Sequence, residues 1–188
     1  GHFIVQDIAE RVAGIGSLGM ERYVLLVSGK GSPDHNYLLD LKAEGPSSLS
    51  PHFINQQPRW PSQAERVVMV QHWVQNMPPA LLTAIQIQQT SFVLRELQTQ
   101  EDKVNIEPLG GKLSRLEELV KTIAKVVAWG QLRSGGHQGS AAANEIAGYL
   151  GETQWQDELL QYANSYLRQV KKDYQTFCAA YDSGAFNI

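Results

Sequence analysis

Three glycines spaced as Gly14-x-Gly16-x-x-Gly19 are the first residues of this chain whose pattern could do chemistry. Glycine has no Cβ, so a loop built from it lets backbone N–H groups approach an anion such as a phosphate. In a dinucleotide-binding fold such a pattern lies between a strand and a helix. Here it is followed by Tyr23-Val24-Leu25-Leu26-Val27, a β-rich run, so the dinucleotide reading fails. The context fits the glycine-rich loop of a kinase, in which Gly14, Gly16, Ser17 and Gly19 would cover ATP phosphates from a hairpin. It fits an ordinary glycine-rich hairpin turn equally well.

Downstream residues extend the kinase pattern in the expected order. A kinase lysine on the third strand holds the α- and β-phosphates and pairs with a glutamate on the following helix. Lys42 lies at the end of Tyr37-Leu38-Leu39-Asp40-Leu41-Lys42-Ala43, and Glu65 falls in the first turn of the next expected helix. An ammonium directly after Leu38-Leu39-x-Leu41 is costly in apolar surroundings without a partner, and Glu65 would supply one. The competing readings are a strand-end lysine reaching water and a glutamate that serves only the Ser62-Gln63-Ala64-Glu65 capping box. Glu96-Leu97-Gln98 would be the hinge, with Glu96 and Gln98 offering backbone groups to adenine; alternatively, Arg95 and Glu96 form an exposed strand-end ion pair. Arg133 and His137 sit in a Gly-rich loop before a helix start, where free N–H groups attract anions. The alternative there is a helix–helix linker with Ser140 as N-cap. No catalytic residue and no metal set is assigned, because His35, His52 and His72 lack metal-ligand spacing.

The elements that must position these residues read as β-β-β-α-β-β followed by helices. Residues 3–13 lead into the glycine cluster, 23–27 and 37–42 read as an antiparallel hairpin across the turn-rich Gly29–Asp34, and the Pro-rich 44–61 is loop. The Ser62 box opens a helix to about Asn76, and Pro78-Pro79 stops it. Leu81–Gln88 and Ser91–Leu97 are two more β-like runs, and Asn105–Lys112 is a turn-rich connector. Then the period changes. Ser114-Arg115-Leu116-Glu117 reads as a capping box opening a helix with Leu116, Leu119, Val120, Ile123 and Val127 on one stripe. A short Ala-rich helix spans 140–150. A long one runs from 153 to about 181 with Trp155, Leu159, Tyr162, Tyr166, Val170, Tyr174 and Phe177 on its core-facing side. Cys178, on that apolar face, reads as a small core side chain.

Composition narrows the function classes. A chain of 188 residues, 43% hydrophobic and 19% charged, can bury a core, so disorder is excluded. A net charge of -3 with scattered Lys and Arg argues against nucleic acid. One cysteine rules out a disulfide framework. No apolar run is long enough to span a bilayer and no secretory leader is seen, so the expectation is a cytoplasmic protein with no membrane partner. The Gly1-His2-Phe3 start suggests a piece of a longer protein.

Several blocks resemble a bacterial family, domain of unknown function 2252. They are Arg11-Val12-x-Gly14-x-Gly16-Ser17-Leu18-Gly19-x-x-Arg22-Tyr23, Leu41-Lys42-Ala43, Leu94-Arg95-Glu96-Leu97-Gln98 with Glu101-Asp102, and Leu132-Arg133-Ser134-Gly135-Gly136 with Gly139-Ser140-Ala141. The resemblance runs along nearly the whole chain in family order. It implies a kinase-like protein, as in aminoglycoside phosphotransferases, of which this chain is the C-terminal portion. It also implies an upstream segment with Asp, His and Asn residues like those of a kinase catalytic loop. Where many members carry a His two residues before the Arg of the Arg-Ser-Gly block, this chain has Gln131. The expectation is therefore an α+β chain forming one compact unit: a kinase-like antiparallel strand lobe with one helix (1–112), then a helical lobe (113–188). Its ligand would be ATP with Mg²⁺, and its partners a nucleotide or small-molecule substrate and a missing N-terminal segment or a second copy. The rival is a non-catalytic interaction or scaffold module.

Overall fold

Runs rich in Val, Ile, Leu and Tyr form the strands, and the segments with a 3.6-residue period form the helices. In the computed structural model the order is β1 (Ile4–Glu10), β2 (Arg22–Ser28), β3 (Asn36–Ala43), α1 (Gln63–Val74), β4 (Thr83–Ile87), β5 (Thr90–Glu96), α2 (Leu113–Ser134), α3 (Ala143–Gly151) and α4 (Gln154–Asp182). The structure describes residues 3–14, 16, 18–30, 35–53, 57–99, 104 and 112–186. The fold is α+β, and its strands and helices follow the order read from the sequence.

The five strands form one antiparallel sheet in the order β1-β2-β3-β5-β4, so β3 is central. The expected hairpin is present: Tyr23 faces Leu41 and Val27 faces Tyr37 across β2 and β3. Most of its turn, residues 31–34, lies outside the described residues. Directly opposed residues share a face, so the register sorts the side chains. One face carries Arg22, Val24, Asp40, Lys42, Val93 and Arg95; the other carries Tyr23, Leu25, Leu39, Leu41, Phe92 and Leu94. Leu41, Ala43 and Phe92 are buried together on the second face, packed by Tyr23, Leu25, Ile85 and Leu94.

Helix α1 covers part of the first face. Its Ala64 and Val68 form a buried cluster with Leu82 and Val93. Ser62 caps it by accepting the Glu65 N–H at 3.1 Å, as the capping box requires. The N–H of Ala64, otherwise orphaned at the helix start, donates to Ser91 Oγ on β5 at 3.2 Å.

The chain forms two compact units, Gly1–Ser140 and Ala141–Ile188. Helix α2, expected with the helical half, therefore belongs to the unit that carries the sheet. It packs on α1 at Gly130, where an added Cβ would stand 3.4 Å from the Val74 carbonyl oxygen. Its expected Ser114 cap does not form. Lys112 is the N-cap, without a side-chain bond, and Ser114 is already inside the helix. Ser140 does not cap α3 either: Ala142 holds that position and donates its N–H to Glu145 at 2.7 Å.

The apolar stripes of α2 and α4 have the expected spacing but are not core. Leu116, Val120, Ile123 and Val127 are exposed, as are Leu159, Tyr162, Tyr166, Val170, Tyr174 and Phe177. No residue of α4 is buried, and Cys178 is half-exposed. Helical period marks a stripe; burial also needs an element to cover it. Among the described residues, no helix is long and apolar enough to cross a membrane.

This division of the core can be measured by chemical denaturation. Phe92, 3% exposed, should lose about 3–5 kcal/mol as Phe92→Ala. Val120→Ala on α2 should change stability by no more than about 0.5 kcal/mol. Equal losses at the two positions would mean that the α2 stripe is covered in solution.

Candidate functional site

The glycine turn is a β-hairpin turn joining β1 to β2. Its neck is closed by the Arg11 N–H donating to the Arg22 carbonyl at 2.8 Å. Gly14 and Gly19 have positive φ, +80° and +82°, a region that side-chain-bearing residues rarely adopt. Gly16 has no such φ, and an added Cβ there meets nothing within 4 Å. Ser17 lies outside the described residues.

Beneath that neck is a charge cluster that the sequence reading did not assemble. Asp40, in the middle of the central strand, is 2% exposed. Arg22 grips it with two hydrogen bonds, Nε to Oδ1 and Nη2 to Oδ2, both 2.7 Å, the fork geometry that suits a carboxylate. Arg11 Nη1 donates to Oδ1 at 3.1 Å. Arg95, directly across the strands, brings Nε to 3.5 Å from Oδ2. Burial pushes the Asp40 carboxyl toward its neutral form and is the largest single influence. The Arg22 hydrogen bonds, with the charges of Arg22, Arg95 and Arg11, outweigh it and hold the carboxyl below its ordinary value. The same hydrogen bond to Asp40 raises Arg22 against its own desolvation. The signal for this cluster was in the sequence: an acidic residue inside Leu39-Asp40-Leu41 needs a buried partner.

Lys42 stands on β3 opposite Arg22. Two cations directly opposed repel, and each has its own carboxylate: Arg22 has Asp40, and Lys42 has Glu44 Oε1 at 3.2 Å. The Lys42–Glu65 pair is not formed. Glu65 is half-buried in the first turn of α1, and among the described residues its carboxylate takes part in no hydrogen bond or ion pair.

Of the residues expected to form a hinge, Glu96 is exposed and lies opposite Leu39, on the other face from Arg95. The Arg95–Glu96 ion pair is thus not made, because adjacent strand residues point to opposite faces. Leu97 donates its N–H to the Leu38 carbonyl at 2.9 Å. Glu96 and Gln98 line a hollow of about 470 Å³ with Gln71, Gln75, Pro79, Arg95, Leu97 and Thr99.

Arg133 and His137 join α2 to α1. Arg133 Nη1 donates to the Val74 carbonyl at 3.4 Å, near the end of α1. His137 stacks on Trp73 with ring centroids 4.6 Å apart and planes 1° from parallel. Trp73 in turn meets Trp60 at 5.6 Å. Among the described residues, no group of three or more His, Cys, Asp or Glu side chains is placed to hold a metal ion.

The chain belongs to a bacterial family whose description is "Uncharacterized protein conserved in bacteria (DUF2252)"; the family model matches residues 1–180. No curated protein matches it, and no solved structure does.

The Asp40 cluster makes a stability prediction with a definite sign. Because the folded carboxyl lies below its ordinary value of 3.8, its contribution is complete above that pH and fades as pH falls below it. Asp40→Ala should cost about 3–5 kcal/mol at neutral pH, since it leaves guanidiniums facing an apolar strand. It should also flatten the acid limb of the stability curve. Denaturation midpoints of both proteins from pH 7 down to pH 3 check this; an unchanged acid limb would contradict it.

Proposed function

We propose that the sheet-bearing unit is a kinase-like, nucleotide-binding lobe that receives the phosphates of ATP, with Mg²⁺, under the Gly14–Gly19 turn. The observation that carries this reading is the open glycine turn at the β1–β2 hairpin. Its neck is tied down at Arg11 and Arg22, while Gly16 and Gly19 have free space where a Cβ would stand. A loop fixed at its base and open at its tip lets backbone N–H groups approach phosphates. The order of elements supports the same reading. A lysine sits on the third strand and a helix with a first-turn glutamate follows. Of the two strands after that, the second, β5, ends in the segment proposed as hinge. Lys42 would hold phosphates after leaving Glu44, and Glu65, which has no competing ion partner among the described residues, would then position it. Glu96 and Gln98 would meet the base through their backbone.

Phosphoryl transfer needs a general base and metal ligands as well, and on this reading an upstream segment would supply them. On that reading this chain binds nucleotide and an added segment performs the chemistry, in a cytoplasmic setting. A second reading, a non-catalytic interaction module, is favoured by one observation: the exposed apolar stripes of α2 and α4. Exposed apolar patches of that kind mark interaction surfaces.

Thermal melts of wild type and Gly16→Val, each with and without Mg-ATP, separate the two. Valine at Gly16 meets no neighbour, so the melting temperature without ligand should barely move. Stabilisation by millimolar Mg-ATP should vanish, because the side chain stands in the path of the phosphates. Gly19→Val is the structural control: φ is +82° there, and the strain should cost about 1–3 kcal/mol with or without nucleotide. A wild type that shows no shift with Mg-ATP would leave the interaction module as the reading.

A further inference from the structure

We propose that Arg95 and Gln75 form a second site, for a phosphate group, in the hollow between the end of α1 and the end of β5. The distances within the Asp40 cluster point there. Three guanidiniums share one carboxylate, so two positive charges remain uncompensated within the cluster. Arg22 takes the two short bonds at 2.7 Å and Arg11 a third at 3.1 Å. Arg95 is left at 3.5 Å, beyond the usual range of an N–H···O bond. It is also the most exposed of the three, at 40%. A guanidinium has five N–H donors, and among the described residues those of Arg95 make no hydrogen bond. Asp40 therefore anchors Arg95 without satisfying it.

The hollow that Arg95 borders supplies an independent sign of a ligand. Gln75, just past the last turn of α1, lines the same hollow, and its side-chain oxygen is buried with no hydrogen-bond partner among the described residues. A buried acceptor left unpaired is costly, so this position suits a ligand that brings its own donor. The required ligand carries a negative oxygen for Arg95 and an O–H or N–H for Gln75. A phosphate group that keeps one P–O–H does both, and the guanidinium fork matches its oxygens. At about 470 Å³ the hollow admits a small phosphorylated molecule. The glycine turn does not line it, but Glu96 and Gln98, which the nucleotide reading gives to the base, do. Phosphate and base would thus compete for the hollow, and Arg95 and Gln75 are the residues that tell the two apart.

The test uses the full chain and inorganic phosphate, with sulfate and chloride at matched ionic strength. Sulfate offers the same charged oxygens but no O–H near neutral pH. Titration calorimetry should show phosphate binding, sulfate binding several-fold more weakly, and chloride producing no comparable heat. Arg95→Gln should weaken phosphate binding at least tenfold. Gln75→Leu should remove the preference for phosphate over sulfate while leaving sulfate binding unchanged. Arg168→Gln, on α4, should change nothing. If Arg95→Gln does not fold, Arg95→Lys is read instead; it keeps the charge without the fork and should weaken binding several-fold. Equal affinity for all three anions would overturn the proposal, and so would phosphate affinity unaffected by the Arg95 and Gln75 substitutions. Phosphate binding through Arg95 without any Mg-ATP response would uphold this site and remove the nucleotide reading. Mg-ATP binding with the phosphate response unchanged in the Arg95 variant would do the reverse.

Discussion

A carboxylate in the middle of the central strand can stay ionised only if cations come to it, and much of this sheet is organised by meeting that demand. Asp40 is 2% exposed, so little solvent reaches it, and an uncompensated buried charge would cost several kcal/mol. Arg22 answers from the start of β2, Arg11 from the end of the β1 segment and Arg95 from β5. One side chain thus ties together three strands and the base of a loop. Such a cluster is not automatically more stabilising than an apolar core of equal volume. What it specifies is register, since a one-residue slip of β3 would turn Asp40 to the face where Leu39 and Leu41 pack.

The same constraint shapes the candidate ligand sites. Fixing Arg11 and Arg22 on Asp40 closes the neck of the glycine turn, while Gly16 and Gly19 have open space where a Cβ would stand. Giving Asp40 to Arg22 leaves Lys42 to Glu44, which relieves the repulsion between Arg22 and Lys42 across the strands. It also leaves Arg95 with spare donors beside Gln75. Further along that face α1 is pinned by Ala64 and Val68 against Val93, and by the Ser91 hydroxyl, which fixes where Glu65 begins its helix.

Much of the fold was legible in the sequence because its signals are local. Turn residues, β-rich runs and the Ser62 box gave the order of strands and α1, and the turn-rich Gly29–Asp34 between two β-rich runs gave the hairpin. The site was legible only in part. The glycines and Lys42 are local signals, but the partner of Lys42 is decided by competition in space, and Glu44, two residues along the strand, is nearer to hand than Glu65. Arg11, Arg22, Asp40 and Arg95 are separated by tens of residues and meet only through register. The helix stripes carried the opposite lesson: the spacing of Leu159, Tyr162 and Tyr166 is real, yet whether they are buried depends on a covering element that period cannot report. Arg133 and His137 read as an anion loop or a helix–helix linker by composition, and their contacts with Val74 and Trp73 at the end of α1 are spatial facts that composition could not report.

The sheet depends on Asp40 being ionised within its arginine cluster, and the direct measurement is an NMR titration of the Asp40 side-chain carboxyl carbon in the folded protein. The carboxyl should still be charged below the ordinary aspartate value of 3.8, losing its charge only as the protein approaches acid unfolding. A carboxyl that titrates at or above 3.8 while the protein stays folded would show that burial outweighs the guanidiniums. That result would remove the anchor on which the glycine turn and Arg95 depend.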